Sequence, residues 1–70
     1  MKKLNVGIIG FGKMGKIRLK AIQKSGIAEV VAIFDPNPVK NLKRSIKIVS
    51  SAELIMEQAI DAVFICTPNN

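Results

Sequence analysis

Short apolar runs alternate along the chain with segments in which apolar residues recur at helical spacing. Three of these runs, residues 4–9, 30–34 and 62–66, are almost continuously apolar. Runs of this kind are typical of strands that are buried on both faces of a parallel sheet. A shorter run at residues 46–49 predicts one more strand, so the pattern indicates four strands in all.

The segment between the first two strands predicts an amphipathic helix over residues 13–25. One stripe of its 3.6-residue period is apolar and the opposite stripe is basic. The apolar stripe consists of Met14, Ile17, Ala21 and Ile22, and the basic one of Lys13, Lys16, Lys20 and Lys24. We therefore expect the Met14 stripe to be buried and the helix to end at Gly26, a natural C-cap.

Two further helices are expected before the last strand. Residues 50–53 form a capping box that predicts a helix from Ser50 to about Ala59. A short helix over residues 39–45 is also expected, after a turn at residues 35–38 that holds two prolines. Strands alternating with helices imply parallel pairing through right-handed crossovers.

The predicted fold class is α/β, a partial doubly wound parallel sheet. We expect four strands in the order 3-2-1-4, with the first two crossovers on one face and the 50–59 helix on the other. The fourth strand would then present an apolar edge, and such an edge invites pairing with another chain. We expect the isolated chain to dimerise, swap or be marginally stable.

Composition narrows the class of protein. With 70 residues, 49% of them hydrophobic, the chain is too apolar for disorder and shorter than an average domain. Its single cysteine cannot form an internal disulfide, and without histidine we expect no metal site. No apolar stretch approaches the ~20 residues of a membrane span, so we expect no membrane partner and a cytoplasmic protein.

The net charge of +6 favours anionic partners, either nucleic acid or a phosphate-bearing cofactor. The basic residues are spread along the chain, and there is no Trp or Tyr on which bases could stack. We therefore expect no nucleic-acid partner. A basic adaptor for nucleic acid is a less favoured hypothesis than a protein that binds a phosphate-bearing cofactor.

Gly10, Gly12 and Gly15 form a G-x-G-x-x-G motif in the position where its mechanism requires it. The motif follows a predicted strand and opens a predicted helix. The first glycine permits a tight turn, the second lets a pyrophosphate approach the backbone, and the third lets the helix pack closely on the strand. The motif predicts a dinucleotide site at the helix N-terminus.

Asp35 ends the second predicted strand, 20 residues beyond Gly15. A carboxylate at this position accepts hydrogen bonds from the adenosine ribose of NAD and repels the 2′-phosphate of NADP. Lys40 and Lys43 are the nearest cations that follow it. We therefore expect NAD as the cofactor, with NADP less favoured.

A purely structural interpretation stays open beside this one. Glycines can serve a turn alone, and an aspartate before proline often starts one. The lysine stripe is interpreted as a solvated helix face, of which only Lys13 could approach a phosphate. Cys66 is expected to be a buried strand residue, because no histidine is present to activate it. Glu53 and Glu57 are interpreted as cap and solvent-facing residues.

Three segments together resemble the glucose–fructose oxidoreductase / inositol dehydrogenase / rhizopine-catabolism (Gfo/Idh/MocA) family. They are residues 6–15 (VGIIGFGKMG), 30–35 (VVAIFD) and 61–69 (DAVFICTPN). The resemblance covers only the cofactor-binding part of such an enzyme. It implies that residues 1–70 form the N-terminal part of a dinucleotide-binding Rossmann domain, with the rest of that domain and the substrate domain absent.

The resemblance also implies a site. Phe11, Lys13 and Met14 would supply backbone to the pyrophosphate, and Asp35 would hold the ribose. The segment Thr67-Pro68-Asn69 would line the cofactor cleft. The family's catalytic residues follow this asparagine, so no catalytic residue is expected within the chain.

The expected function is cofactor binding in an NAD-dependent oxidoreductase. By the resemblance, hydride would pass to or from a secondary alcohol of a sugar, cyclitol or related small molecule, in a protein that forms homo-oligomers. Two alternatives are a non-catalytic dinucleotide-binding module and a Rossmann dehydrogenase of an amino-acid pathway. The 70-residue chain alone is expected to be inactive.

Overall fold

The computed structural model describes residues 3–40 and 42–66, which fold into one parallel sheet with helices. The elements in chain order are β1 (Leu4–Ile9), α1 (Lys13–Ser25), β2 (Ala28–Phe34), β3 (Lys47–Ile48), α2 (Ala52–Met56) and β4 (Ala62–Ile65). The strand order is β3-β2-β1-β4, and every pair is parallel. The predicted fold class and strand order are therefore confirmed.

Apolar side chains form one cluster on each face of the sheet. Leu19 and Ile22 of α1 belong to the first cluster, together with Val6 and Ile8 of β1. Ile55 of α2 belongs to the second cluster, which lies on the other face. Because side chains alternate along a strand, the nearly continuous apolar runs supply both clusters.

A β-bulge in the pairing of β1 with β2 interrupts the alternation of side chains between the two faces of the sheet. Val6 pairs with Val30 but Gly7 pairs with Ala32, so Val31 is the extra residue of a bulge in β2. On the α2 face, a Cβ added at Gly7 would lie 2.7 Å from Cγ2 of Ile55. The absence of a side chain at Gly7 therefore lets α2 pack closely on β1.

The buried face of α1 differs from the predicted one. Gly15, Leu19 and Ile22 are buried, whereas Met14 and Ile17 are 51% and 48% exposed. Only Ile22 of the predicted stripe packs into the core. The contact begins at a glycine, which hydrophobic periodicity does not count as apolar, and this rotates the buried face of the helix.

The segments that follow β2 are less helical than expected. The described residues of 39–45 contain no helix, and β3 is only two residues long. The helix α2 starts at the N-cap Ser51 rather than at Ser50, and the Ser51 side chain accepts a hydrogen bond from the backbone N–H of Leu54. The predicted capping box of Ser50 and Glu53 therefore does not form.

Hydrogen bonds from Gln58 cap the C-terminal end of α2, which comes earlier than the predicted Ala59. The backbone N–H of Gln58 donates to the Ile55 carbonyl, and the Gln58 side chain donates to the Leu54 carbonyl. These bonds satisfy the last carbonyls of the helix, which otherwise lack intrahelical partners. The chain then turns into β4 within a few residues.

The start of β4 is held beside β1 by a pair of polar residues. The backbone N–H of Asn5 donates to Oδ2 of Asp61 at 2.7 Å, and the backbone N–H of Asp61 donates to the Asn5 carbonyl at 2.7 Å. The side chain of Asn5 donates to the Ala59 carbonyl at 2.9 Å. These hydrogen bonds fix the position of the start of β4 beside β1.

Replacing Asn5 with alanine should lower the free energy of unfolding by about 1 kcal/mol, because the Ala59 carbonyl loses its side-chain donor. Urea denaturation followed by circular dichroism measures the change. Gln23→Ala is the control, since Gln23 is an exposed residue of α1. Equal midpoints for Asn5→Ala and wild type would contradict the assigned role of the Asn5 side chain.

Candidate dinucleotide site

The candidate site lies at the carboxyl ends of β1 and β2. The backbone N–H of Gly10, directly after β1, donates to the carbonyl of Phe34 at the end of β2 over 2.7 Å. On the other side, the Cys66 N–H donates to the Ile9 carbonyl at 2.7 Å. The strand order reverses around β1, and ligands of open α/β sheets bind at such a switch point.

The three motif glycines meet different physical requirements. Gly10 has a φ of 92°, which L side chains rarely adopt. A Cβ at Gly15 would collide with the carbonyl oxygen of Gly10, so Gly15 is required for α1 to pack on the turn. Gly12 has a φ of −81°, and a Cβ there would meet nothing within 4 Å. The fold therefore requires glycine at positions 10 and 15 but not at position 12.

The open space beside Gly12 adjoins the start of α1. Gly12 is the N-cap and provides no side chain to cap the helix, and the first turn holds no acidic residue. The first N–H groups of a helix have no intrahelical acceptor, and the helix dipole favours an anion there. Lys13 and Met14, both exposed, form that first turn. The geometry suits a phosphate group lying against the backbone.

Asp35 is held in place by the turn that it faces. The backbone N–H of Phe11 donates to Oδ2 of Asp35 at 2.5 Å, and that of Asn37 donates to Oδ1 at 2.7 Å. The carboxylate therefore links the glycine turn to the turn after β2. The predicted pyrophosphate donors include Phe11, but its N–H is engaged by Asp35, which leaves Gly12, Lys13 and Met14 for that role.

Phe11 and Gly12 of the glycine motif line one cavity of about 340 Å³ together with Asp35. Two cations, Lys16 and Lys40, line it with them. Sequence reasoning placed Lys16 on a solvated face, although its position one helical turn beyond Gly12 was a signal that it lies near the motif. Lys43, the other cation noted beside Asp35, does not line this cavity.

An extended dinucleotide fits these features. Its pyrophosphate would occupy the space that a side chain at position 12 would fill, and a ribose would reach the carboxylate of Asp35. Thr67, Pro68 and Asn69, predicted to line the cofactor cleft, lie outside the described residues. Cys66 is half-buried against the first apolar cluster and carries a free thiol.

The described residues form neither a metal site nor a membrane-spanning helix. Within residues 3–40 and 42–66, no group of three or more His, Cys, Asp or Glu side chains could hold a metal ion. The helices in the same ranges are too short or too polar to cross a bilayer.

A parallel sheet whose first strand runs through a glycine turn into a helix, beside an acidic residue at the end of the second strand, defines a Rossmann-type dinucleotide-binding protein. Residues 4–70 match the family described as "Oxidoreductase family, NAD-binding Rossmann fold". The chain belongs to this family, Gfo/Idh/MocA, and the suspected relationship is confirmed.

Individual relatives are similar at modest identity. The chain is 31% identical over 74 residues to the rhizopine catabolism protein MocA of Rhizobium meliloti, covering 100% of this chain and 23% of that protein. It is 31% identical over 71 residues to the meso-diaminopimelate D-dehydrogenase of Acetivibrio thermocellus, covering 96% and 21%. It is also 31% identical over 67 residues to an uncharacterised oxidoreductase of Streptococcus pneumoniae serotype 4, covering 91% and 18%. The chain thus spans about a fifth of the length of these relatives.

Proposed function

We propose that this chain binds NAD for an oxidoreductase that transfers a hydride to or from a secondary alcohol of a sugar, cyclitol or related small molecule. Gly12, Lys13 and Met14 would hold the pyrophosphate, and Asp35 the adenosine ribose. Bound NAD would supply the hydride-accepting nicotinamide, while the protein supplies orientation and electrostatics.

The observation that carries the proposal is the open space at Gly12. Gly10 and Gly15 are explained by backbone conformation and by packing, and both would be present in a turn of purely structural purpose. Neither reason applies to Gly12. A glycine that leaves the start of α1 uncovered, in the same cavity as Asp35, supports a ligand whose phosphates approach the backbone.

The preference for NAD over NADP rests on Asp35. Its carboxylate is fixed in the cavity by two backbone N–H groups, so it cannot easily turn away from a 2′-phosphate. Lys16 and Lys40 line the same cavity and would reduce the repulsion. We therefore propose a moderate preference for NAD.

The substrate class rests on the resemblance, and one relative supports an alternative. Similarity to the rhizopine catabolism protein MocA agrees with that resemblance, which implies a sugar, cyclitol or related small molecule as substrate. Similarity to meso-diaminopimelate D-dehydrogenase favours, as a second candidate, a dehydrogenase of an amino-acid pathway. A non-catalytic dinucleotide-binding module is the third.

Further parts of the proposal concern the whole protein. Residues 1–70 would form the N-terminal part of the dinucleotide-binding domain, inactive alone, with substrate-binding and catalytic residues elsewhere. The protein would be a cytoplasmic homo-oligomer. The β4 strand lies at one edge of the sheet and Ile65 is 70% exposed, which supports pairing with further chain or with another copy.

Titration calorimetry with NAD and NADP tests the cofactor proposal. Asp35→Asn should weaken NAD binding about tenfold, because a charge-assisted hydrogen bond to the ribose is lost, and it should reduce the preference for NAD over NADP. Asp61→Asn is the matched control, since Asp61 also accepts a backbone N–H but lies at the start of β4. Unchanged NAD affinity in Asp35→Asn would refute the assignment of Asp35 to the ribose.

A further inference from the structure

A second and larger groove lies beside the Asp35 cavity, between α1 and the connection from β2 to β3. The groove is open to solvent and has a volume of about 450 Å³, within the range of small-molecule sites. The described part of this connection contains no helix, and its residues Lys40, Leu42 and Lys43 line the groove opposite α1. Among the described residues of the glycine turn and the predicted cofactor contacts, Phe11 is the one that lines this groove.

The floor of this groove is apolar and firmly packed. Phe11, Leu19 and Ile46 line it, and all three are buried members of the first apolar cluster. Leu42, half-buried, packs against the same cluster and also lines the groove. These side chains offer a hydrophobic surface that is anchored in the core.

The rim of the groove carries one sign of charge. Lys16 and Lys20 of α1 face it from one side, and Lys40 and Lys43 of the connection from the other. All four are exposed, and among the described residues that line the groove none is acidic. A concave surface lined by one sign of charge concentrates ions of the opposite sign.

We propose that this groove binds a small organic anion. The apolar body of the ligand lies on Phe11, Leu19 and Ile46, and its carboxylate, sulfonate or phosphate is held by the lysines of the rim. The basic residues that sequence analysis assigned to a solvated helix face thus include two that form one wall of a ligand site, Lys16 and Lys20.

The groove is linked to the cavity of Asp35. Phe11, Lys16 and Lys40 line both. An anion in the groove therefore interacts with Lys16 and Lys40, two cations that also border the Asp35 cavity. Its occupancy weakens dinucleotide binding, an effect that rests on the proposed function, whereas anion binding itself does not.

Naphthalene-2-sulfonate is the probe, titrated into ¹⁵N-labelled chain and followed by heteronuclear NMR. We expect the largest shifts at Leu19, Leu42 and Ile46. Lys20→Glu with Lys43→Glu should weaken probe binding about tenfold, since both lysines line the groove but not the Asp35 cavity. The milder double variant Lys20→Gln with Lys43→Gln should weaken probe binding about threefold. It replaces the charge-reversal variant in the titration if charge reversal disturbs folding.

The control is Lys24→Glu with Lys47→Glu, which changes the net charge equally at exposed lysines that line neither cavity. It should leave probe affinity within about twofold of wild type. Shifts centred on Phe64 and Ile65 of the exposed β4 edge, or equal weakening in both double variants, would overturn the proposal. Failure of NAD to bind, with probe binding intact, would count against the proposed function alone.

Discussion

Gly15→Ala should destabilise the fold by about 2 kcal/mol, even though alanine is the better helix former. The added Cβ would collide with the carbonyl oxygen of Gly10 and would lie 3.2 Å from the carbonyl carbon. Both are backbone atoms of a turn with a positive φ, so they cannot move aside as a flexible side chain could. The start of α1 would have to lift from the turn. Urea denaturation followed by circular dichroism measures the loss.

Gly12→Ala provides the matched control for this result. It introduces the same methyl group three residues earlier, at a negative φ and with nothing within 4 Å of it. The free energy of unfolding should change by no more than about 0.5 kcal/mol. If the two variants were equally stable, the packing role assigned to Gly15 would be wrong.

Gly12→Val should weaken NAD binding roughly 100-fold while leaving the fold almost as stable as wild type. Its branched side chain would fill the space through which the pyrophosphate is proposed to reach the first turn of α1, removing hydrogen bonds between backbone N–H groups and the phosphates. Titration calorimetry measures the affinity, and a urea titration of the same sample verifies the fold.

A graded series strengthens the test at this position. Gly12→Ala should lose less affinity than Gly12→Val, because a methyl group fills less of the space. Wild-type NAD affinity in Gly12→Val would show that no phosphate approaches position 12. The cofactor proposal would then lose its main support, whereas the packing prediction for Gly15 would be unaffected.

These two predictions separate two roles within a single motif. Gly15→Ala and Gly12→Val both add atoms to a glycine of the same six-residue motif. The first is expected to act on folding and the second on binding. The difference arises from what surrounds each position: backbone at Gly15 and open space at Gly12. The motif assigned different roles to these two glycines, and the surroundings of each position give the physical reason.

Much of the fold followed from the sequence because it is locally encoded. Continuous apolar runs predicted β1 over residues 4–9, and lysine-rich helical periodicity ending at Gly26 predicted α1 over residues 13–25. Alternation of strands and helices predicted parallel pairing, and the doubly wound class of fold predicted the strand order. The motif and its distance to Asp35 predicted that both would lie at one site, and Phe11 and Gly12 line one cavity with Asp35.

Other features were decided only by contacts between distant parts of the chain. The buried face of α1 is set by the approach of Gly15 to the turn at Gly10, and hydrophobic periodicity assigned it instead to Met14. The hydrogen bond from Phe11 to Asp35 joins residues 24 apart in sequence. It engages an N–H group that the family resemblance assigned to the pyrophosphate.

The sequence by itself determined the class of fold and predicted the location of the candidate dinucleotide site, because both depend on local periodicity and on the spacing of a few residues. Tertiary structure alone decided which side of α1 is buried and which N–H group of the motif donates to Asp35. It also brought Lys16 and Lys20 to face Lys40 and Lys43 across one groove. Those properties depend on which atoms meet across the turn and the β2–β3 connection, and spacing along the chain does not specify such contacts.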